Sequence, residues 1–203
     1  MLRDDRTVRP SRPGLPGDKS GLRRALLARR ADLTAAHLEA AGHALAEALA
    51  PTCGQARTVA AYAAMGTEPP TSPLLDRLAD VRVLLPVLLP DGDLDWAERA
   101  PGDLQPASRG LLEPAGPRLG PHALADCDVV LVPALAVDRG GRRLGRGGGS
   151  YDRALPRARG LVVALLHDGE LLDAVPSETH DVRVGAVATP TGGLVHLGGT
   201  MRG

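Results

Sequence analysis

Residues 138–152, DRGGRRLGRGGGSYD, hold the densest chemistry in the chain. Gly140, Gly141, Gly145, Gly147, Gly148 and Gly149 alternate there with Arg139, Arg142, Arg143 and Arg146. Glycine lacks a Cβ, so several backbone N–H groups can converge on one point, and Arg143 and Arg146 add fixed positive charge beside them. The guest that suits such a loop is a phosphate. A helix starting near Ser150 would turn its first N–H groups and the positive end of its dipole toward the same guest. The same composition also suits a solvated flexible loop. It matches neither GxxxxGK[ST] nor a GxGxxG placed directly behind a strand, the patterns of the common nucleotide folds.

Other residues extend this chemistry. The 24 basic residues include a single lysine, Lys19. A compact ammonium can serve where a planar guanidinium does not fit; chance placement at the end of a tail is the competing reading. Lys19 and Arg23 lie one helical turn apart and would point the same way. Glu68 and Asp152 supply carboxylates, and a carboxylate beside a phosphate loop suits Mg²⁺, which prefers oxygen ligands and keeps several waters. His37, His43, His122, His167 and His180 show no metal-ligand spacing and read as surface or satisfied polar groups. Tyr62 and Trp96 read as packing residues.

The elements that must position these groups follow from periodicity. Residues 19–33 place Leu22, Leu26 and Leu27 on one helical face, with Arg23, Arg24, Arg29 and Arg30 largely opposite. Thr34 caps a second predicted helix over 35–50, ended by a turn at 51–55. Residues 58–65 read as a short strand feeding the proline-rich loop 66–73, and 72–80 as a helix. Residues 81–90 form a strand whose Pro86 implies a strand end or an edge. Residues 94–100 are a further strand, 100–117 a long connection, and 121–127 a short helical piece. Residues 127–137 are a buried strand, 150–158 a helix and 160–167 another buried strand. Uninterrupted apolar strands alternating with helices predict a single α/β domain, Rossmann-like and three-layered, with a mostly parallel sheet flanked by helices. It spans about 18–200, behind a disordered tail over 1–17. In such sheets ligands gather at the carboxyl ends of strands, where Glu68 and the glycine loop both fall.

Composition narrows the function class. The net charge is zero, so no nucleic acid or membrane partner is expected from the overall field. No apolar run is long enough to span a bilayer or to form a signal sequence. Cys53 and Cys127 lack any CxxC spacing, which argues against a zinc site or a disulfide framework and fits a reducing cytoplasm.

The segment VPALAVDRGGRRLGRGGGSYDRAL, residues 132–155, resembles the signature of the 5-formyltetrahydrofolate cyclo-ligase family, also called 5,10-methenyltetrahydrofolate synthetases. Smaller matches lie in the family's order. Lys19, Leu22 and Arg23 resemble its K-x-x-L-R, Glu68 and Thr71 its E-x-x-T, Gly110 to Pro114 its G-I-x-EP, and 175–181 (VPSETHD) its VP-x-E-x-HD. Together they cover the chain from Lys19 to about Pro190.

The resemblance implies ATP-dependent, Mg²⁺-assisted conversion of 5-formyltetrahydrofolate to 5,10-methenyltetrahydrofolate, with ADP and phosphate released. It implies catalytic roles for Lys19 and Arg146. ATP contacts fall to Lys19, Arg23, Arg143, Leu144, Gly145, Arg146, Gly147, Gly148, Gly149, Ser150 and Tyr151. Folate contacts fall to Arg23, Ala63, Glu68, Arg146, Gly148 and Ser150, with Tyr62 and Trp96 as further pocket walls. Mg²⁺ would bind Asp152. Three positions depart from the family's pattern: Ser150 stands where a tyrosine is usual, Val137 for a phenylalanine, and Gly185 where some members carry a metal-binding aspartate. A monomeric cytoplasmic enzyme is expected. The alternatives are a non-catalytic folate or nucleotide binder, or an RNA-associated relative. A fold relative acting on sugar phosphates or acyl-CoA lacks support, because no isomerase-type acid/base constellation is present.

Overall fold

The computed structural model describes residues 18–100, 102–176 and 181–198. The expected tail over 1–17 and residues 177–180 of the VPSETHD segment lie outside them. In chain order the helices are α1 (Lys19–Ala31), α2 (Ala35–Cys53), α3 (Ser72–Arg77) and α4 (Ser150–Ala154). The strands are β1 (Thr58–Ala60), β2 (Arg82–Leu88), β3 (Leu94–Glu98), β4 (Leu104–Pro106), β5 (Leu112–Pro114), β6 (Val129–Pro133), β7 (Ala136–Asp138), β8 (Arg143–Leu144), β9 (Leu161–Leu165), β10 (Leu171–Leu172), β11 (Ala186–Thr189) and β12 (Gly193–His196).

Seven strands form the main sheet in the order β12-β11-β9-β6-β1-β2-β3. The five inner strands run parallel, and β3 and β12 close the two edges antiparallel. The chain steps from β1 to β2 in one direction and from β6 through β9 to β11 in the other. The order therefore reverses between β1 and β6, and a crevice opens at their carboxyl ends.

Alternation along the strands builds two cores. On β6, Val129 and Leu131 pack with Leu45, Leu49 and Leu74 of α2 and α3, whereas Val130 and Val132 face Leu124, Ala154 and Leu155 on the other side. A strand buried on both faces needs apolar residues throughout, and this is the signal read in 127–137 and 160–167. The second face is covered by α4 and by 3₁₀ turns at Pro121–Asp126 and Leu155–Arg157 rather than by long helices. Helix α1 packs separately, placing Leu22 and Leu26 against Leu135, Leu144 and Val175.

Several local expectations change. Helix α2 runs through Pro51 to Cys53 instead of ending at residue 50. A proline in the last turn forfeits one hydrogen bond, and Gly54 N still donates to Ala50 O at 2.8 Å. Pro86 lies inside β2, opposite Trp96. Leu84 O accepts from Ala61 N, so the backbone groups of residues 84 and 86 face β1, and β1 has already ended where an N–H at residue 86 would seek an acceptor. The apolar run 127–137 is two strands, not one. Pro133 ends β6, Leu135 N bonds Leu144 O, and β7 joins β8 and β10 in a separate three-stranded sheet. Residues 100–117 contain a small hairpin, β4 with β5, in place of a plain connection. The helix expected over 150–158 stops at Ala154 and tightens into a 3₁₀ turn, with Pro156 inside that turn. Strands β10, β11 and β12 were not anticipated. Both cysteines are free and buried, and burial pushes their thiols up to about 11 for Cys53 and about 12 for Cys127. No helix among the described residues is long and apolar enough to cross a membrane.

Candidate active site

Two segments leave the sheet at its reversal point, and each is fixed by its own hydrogen bonds. After β1 the chain passes Tyr62 and Ala63 and folds back. Thr71 Oγ1 donates to Tyr62 O at 2.6 Å and accepts from Ala64 N at 3.2 Å, and Tyr62 Oη donates to Pro69 O at 3.2 Å. Glu68 Oε2 accepts from Met65 N at 3.0 Å, which aims a buried carboxylate into the crevice. Thr71 of the E-x-x-T match is thus the staple of this loop.

The second segment is the glycine loop, carried by β7 and β8. Asp138 shapes its approach: Oδ1 accepts from the N–H groups of Gly140 and Arg142, and Oδ2 from Arg142 Nε and Val175 N. Burial alone would raise this carboxyl, but these bonds and the Arg142 charge hold it below the usual carboxylate range. Gly147 and Gly149 adopt φ of +107° and +73°, a region that L side chains rarely occupy, and Gly149 is the residue from which α4 starts. Arg23 Nε donates to Gly145 O at 2.9 Å and ties α1 to the loop. Arg153 Nη1 reaches Gly148 O at 3.2 Å.

These segments enclose a cleft of about 430 Å³. Lys19, Arg23, Ala63, Glu68, Arg143 to Tyr151 and Asp152 all line it, so the residues assigned to the site from sequence come together. Their states differ. Arg146 leaves half its side chain exposed and reaches Glu68 Oε1 with Nη1 at 3.3 Å, spanning the two walls. Lys19 Nζ bonds Asp181 Oδ2 at 2.8 Å. Arg143 is buried, with Nη2 on Asp152 Oδ1, Nη1 at 3.5 Å from Pro133 O, and its guanidinium 5.9 Å from the Tyr151 ring centre. Leu144 is a core residue packed with Leu22, Leu26 and Leu135 as well as a lining residue of the cleft. The Tyr151 hydroxyl is held protonated by burial and by the nearby Glu68 charge. Trp96 does not line the cleft as expected: it is fully buried in the sheet's second core, packed among the apolar residues of β2, β3 and β6. Val137 is likewise core, and Gly185 lies away from the cleft at the start of β11.

Three features of the cleft were not assigned to it from the sequence. Asp181 lines the cleft opposite Lys19; its place in the VPSETHD match is the signal that marked it. Pro86, Leu88, Leu94, Leu111 and Leu112 form an apolar wall that suits a flat ring. Arg30, expected to face solvent, is 2 % exposed and shares the cleft wall. It falls at i+4 from Leu26 and i+8 from Leu22, the same stripe, and forks onto Glu170, 4 % exposed, at 2.7 and 2.6 Å.

Among the described residues no three acidic, histidine or cysteine side chains cluster as a cage. Asp152 presents a partly exposed carboxylate with one oxygen on Arg143. That set fits a cation held mostly by phosphate oxygens and water.

His167 yields a pH prediction. Burial drives its pKa below the ordinary 6.5, opposed only in part by the bond to Thr67 O and by Glu170; Arg30 and His37 add to the lowering. Between the folded value and 6.5 the unfolded chain binds a proton that the native state refuses, so this group's contribution is complete above 6.5 and is lost as pH falls below it. His167→Gln should therefore flatten the fall in thermal midpoint between pH 7.5 and 5. Parallel curves for the two proteins would contradict a neutral buried His167.

Residues 16–190 match the model of the 5-formyltetrahydrofolate cyclo-ligase family. The chain belongs to this family. A curated 5-formyltetrahydrofolate cyclo-ligase of Mycolicibacterium smegmatis is 45% identical over 191 residues, covering 90% of this chain and 98% of its own. The Escherichia coli 5-formyltetrahydrofolate cyclo-ligase is 35% identical over 149 residues, 70% of this chain and 82% of its own. The solved structure of Aquifex aeolicus 5,10-methenyltetrahydrofolate synthetase superposes with a TM-score of 0.74 at 26% identity, covering 91% of this chain and 96% of that one. The matched span contains every segment that carried the family resemblance.

Proposed function

We propose that this chain is an ATP-dependent 5-formyltetrahydrofolate cyclo-ligase, forming 5,10-methenyltetrahydrofolate, ADP and phosphate. The observation that carries the reading is the convergence of Lys19, Arg23 and Arg146 with Glu68 on one cleft at the sheet's reversal point. The N-formyl oxygen is a poor leaving group. It attacks the γ-phosphorus of ATP, the bond from that phosphorus to ADP breaks, and the formyl group becomes an imidate-like phosphate with its carbon activated. N10 then attacks that carbon and gives up its proton, and phosphate leaves as the methenyl bridge forms.

Little covalent chemistry falls to the protein in such a reaction; positioning and charge neutralisation do the catalysis. Lys19 and Arg23 hold the phosphates from α1, and the backbone of Gly145 to Tyr151 cradles them from the other side. Arg146 exchanges Glu68 for the oxygens of the transferring group, and Glu68 contacts the folate near its formyl group. Arg23, Ala63, Gly148 and Ser150 line the folate side, and the small Ser150 leaves ring recognition to the apolar wall. Arg143 fixes Asp152 and Tyr151. Mg²⁺, when bound, would be held by Asp152 and would offset the charge on the ATP oxygens. The enzyme acts as a cytoplasmic monomer, with no nucleic acid or membrane partner.

The test is formation of the methenyl product, followed by near-ultraviolet absorbance, from 5-formyltetrahydrofolate, ATP and Mg²⁺. The expected result is product only with ATP, and a return to background on removing divalent metal with excess EDTA. Binding of ATP or folate without product would replace the enzyme by a non-catalytic binder.

A further inference from the structure

The Arg30–Glu170 pair extends to both walls of the cleft. Arg30 Nη2 also donates to Ala134 O at 2.6 Å, just past the end of β6. Glu170 Oε2 accepts from His167 N at 2.8 Å, and Glu170 O accepts from Val137 N at 3.1 Å. His167 Nε2 lies 3.0 Å from Thr67 O, the residue before Glu68. One buried network thus joins α1, the end of β6, the turn after β9 and the loop that carries Glu68.

Fold stability alone does not explain these residue types. A buried ion pair roughly breaks even with an apolar replacement of equal volume, whereas its hydrogen bonds fix direction and distance. His167 shows the same preference. A carbonyl can only accept, so Nε2 must carry the proton and Nδ1 is left as a bare lone pair. That Nδ1 is buried without a hydrogen-bond partner among the described residues. A leucine would avoid that cost and lose the bond to Thr67.

We propose that Arg30, Glu170 and His167 are positioning residues for the folate half of the site, holding the Glu68 loop and the Ala134 edge at a set distance from the cations of α1. This rests on the reading that Glu68 meets the folate. It predicts a specific asymmetry. Loosening the Thr67 anchor should weaken folate and spare ATP, because Lys19 and Arg23 stand on α1 and the glycine-loop backbone is held by Arg23, Arg153 and Asp138 rather than by Thr67.

The experiment compares His167→Leu and His167→Gln with the wild type in steady-state kinetics for each substrate and in calorimetric titrations with each. His167→Leu should raise KM and Kd for 5-formyltetrahydrofolate roughly tenfold and leave those for ATP within about twofold. His167→Gln, whose amide can donate to the same carbonyl, should return the folate values to within about twofold of wild type. Unchanged folate values in His167→Leu, equal weakening of both substrates, or no rescue by glutamine would overturn the proposal. Should the wild type bind folate without turnover, the cyclo-ligase reading falls and the Kd comparison still decides the network. A wild type that binds no folate overturns both.

Discussion

Replacing Arg146 with alanine should lower turnover by about 10³-fold or more while the thermal midpoint stays nearly where it was, since single donors to a transferring or developing charge are worth factors of this size. Its side chain is half exposed and makes one ion pair, at 3.3 Å, with Glu68. On its arginine side the pair is open to water and contributes about 0–1 kcal/mol, so the fold should barely register the loss even though Glu68 itself is buried. Glu68 would remain bonded to Met65 N and keep its place. Kinetics with saturating ATP and folate, set beside a melting curve, check this. A rate within a few-fold of wild type would remove Arg146 from the reaction, and a lowered midpoint would make it structural. Arg146→Lys retains charge but not the planar fork, so partial activity there would show that charge dominates over geometry.

The second large effect concerns stability. Glu170→Leu alone should destabilise the protein by about 3–5 kcal/mol, because it strands the Arg30 guanidinium in a site only 2 % exposed. Arg30→Met combined with Glu170→Leu should recover most of that loss, since the apolar pair no longer requires charge compensation. Denaturant unfolding of both single variants and the double variant closes the cycle. Losses that simply add would show that the two side chains act independently. The double variant also separates the two roles of the pair: it should melt well above Glu170→Leu, short of wild type by the unmet Ala134 O and His167 N, and still bind folate more weakly, because no donor reaches that carbonyl and no acceptor fixes that N–H.

The sequence by itself determined what sort of fold this is and marked Lys19, Arg23, Glu68, Asp152 and the glycine loop, which meet in one cleft. Cation type, glycine spacing and carboxylate placement are local properties, and positive φ at Gly147 and Gly149 is a demand that one stretch of chain expresses alone. The parallel sheet was legible for a similar reason, since strands such as β6 and β9 must be apolar on both faces. Partnership across the fold was not legible. Periodicity says which stripe of α1 Arg30 occupies but not that Glu170, 140 residues later, waits opposite. The family resemblance set Trp96 among the possible walls of the cleft, whereas it is fully buried in the sheet's second core. Whether Pro86 breaks a strand depended on where its neighbour β1 happens to end. The break at Pro133, which sends β7 and the glycine loop away from the main sheet, depended on Leu144 being present to receive Leu135 N. Each of these was decided by contacts between residues far apart in the chain, because burial and hydrogen bonding depend on what lies across a gap in space, and one-dimensional patterns record only neighbours along the chain.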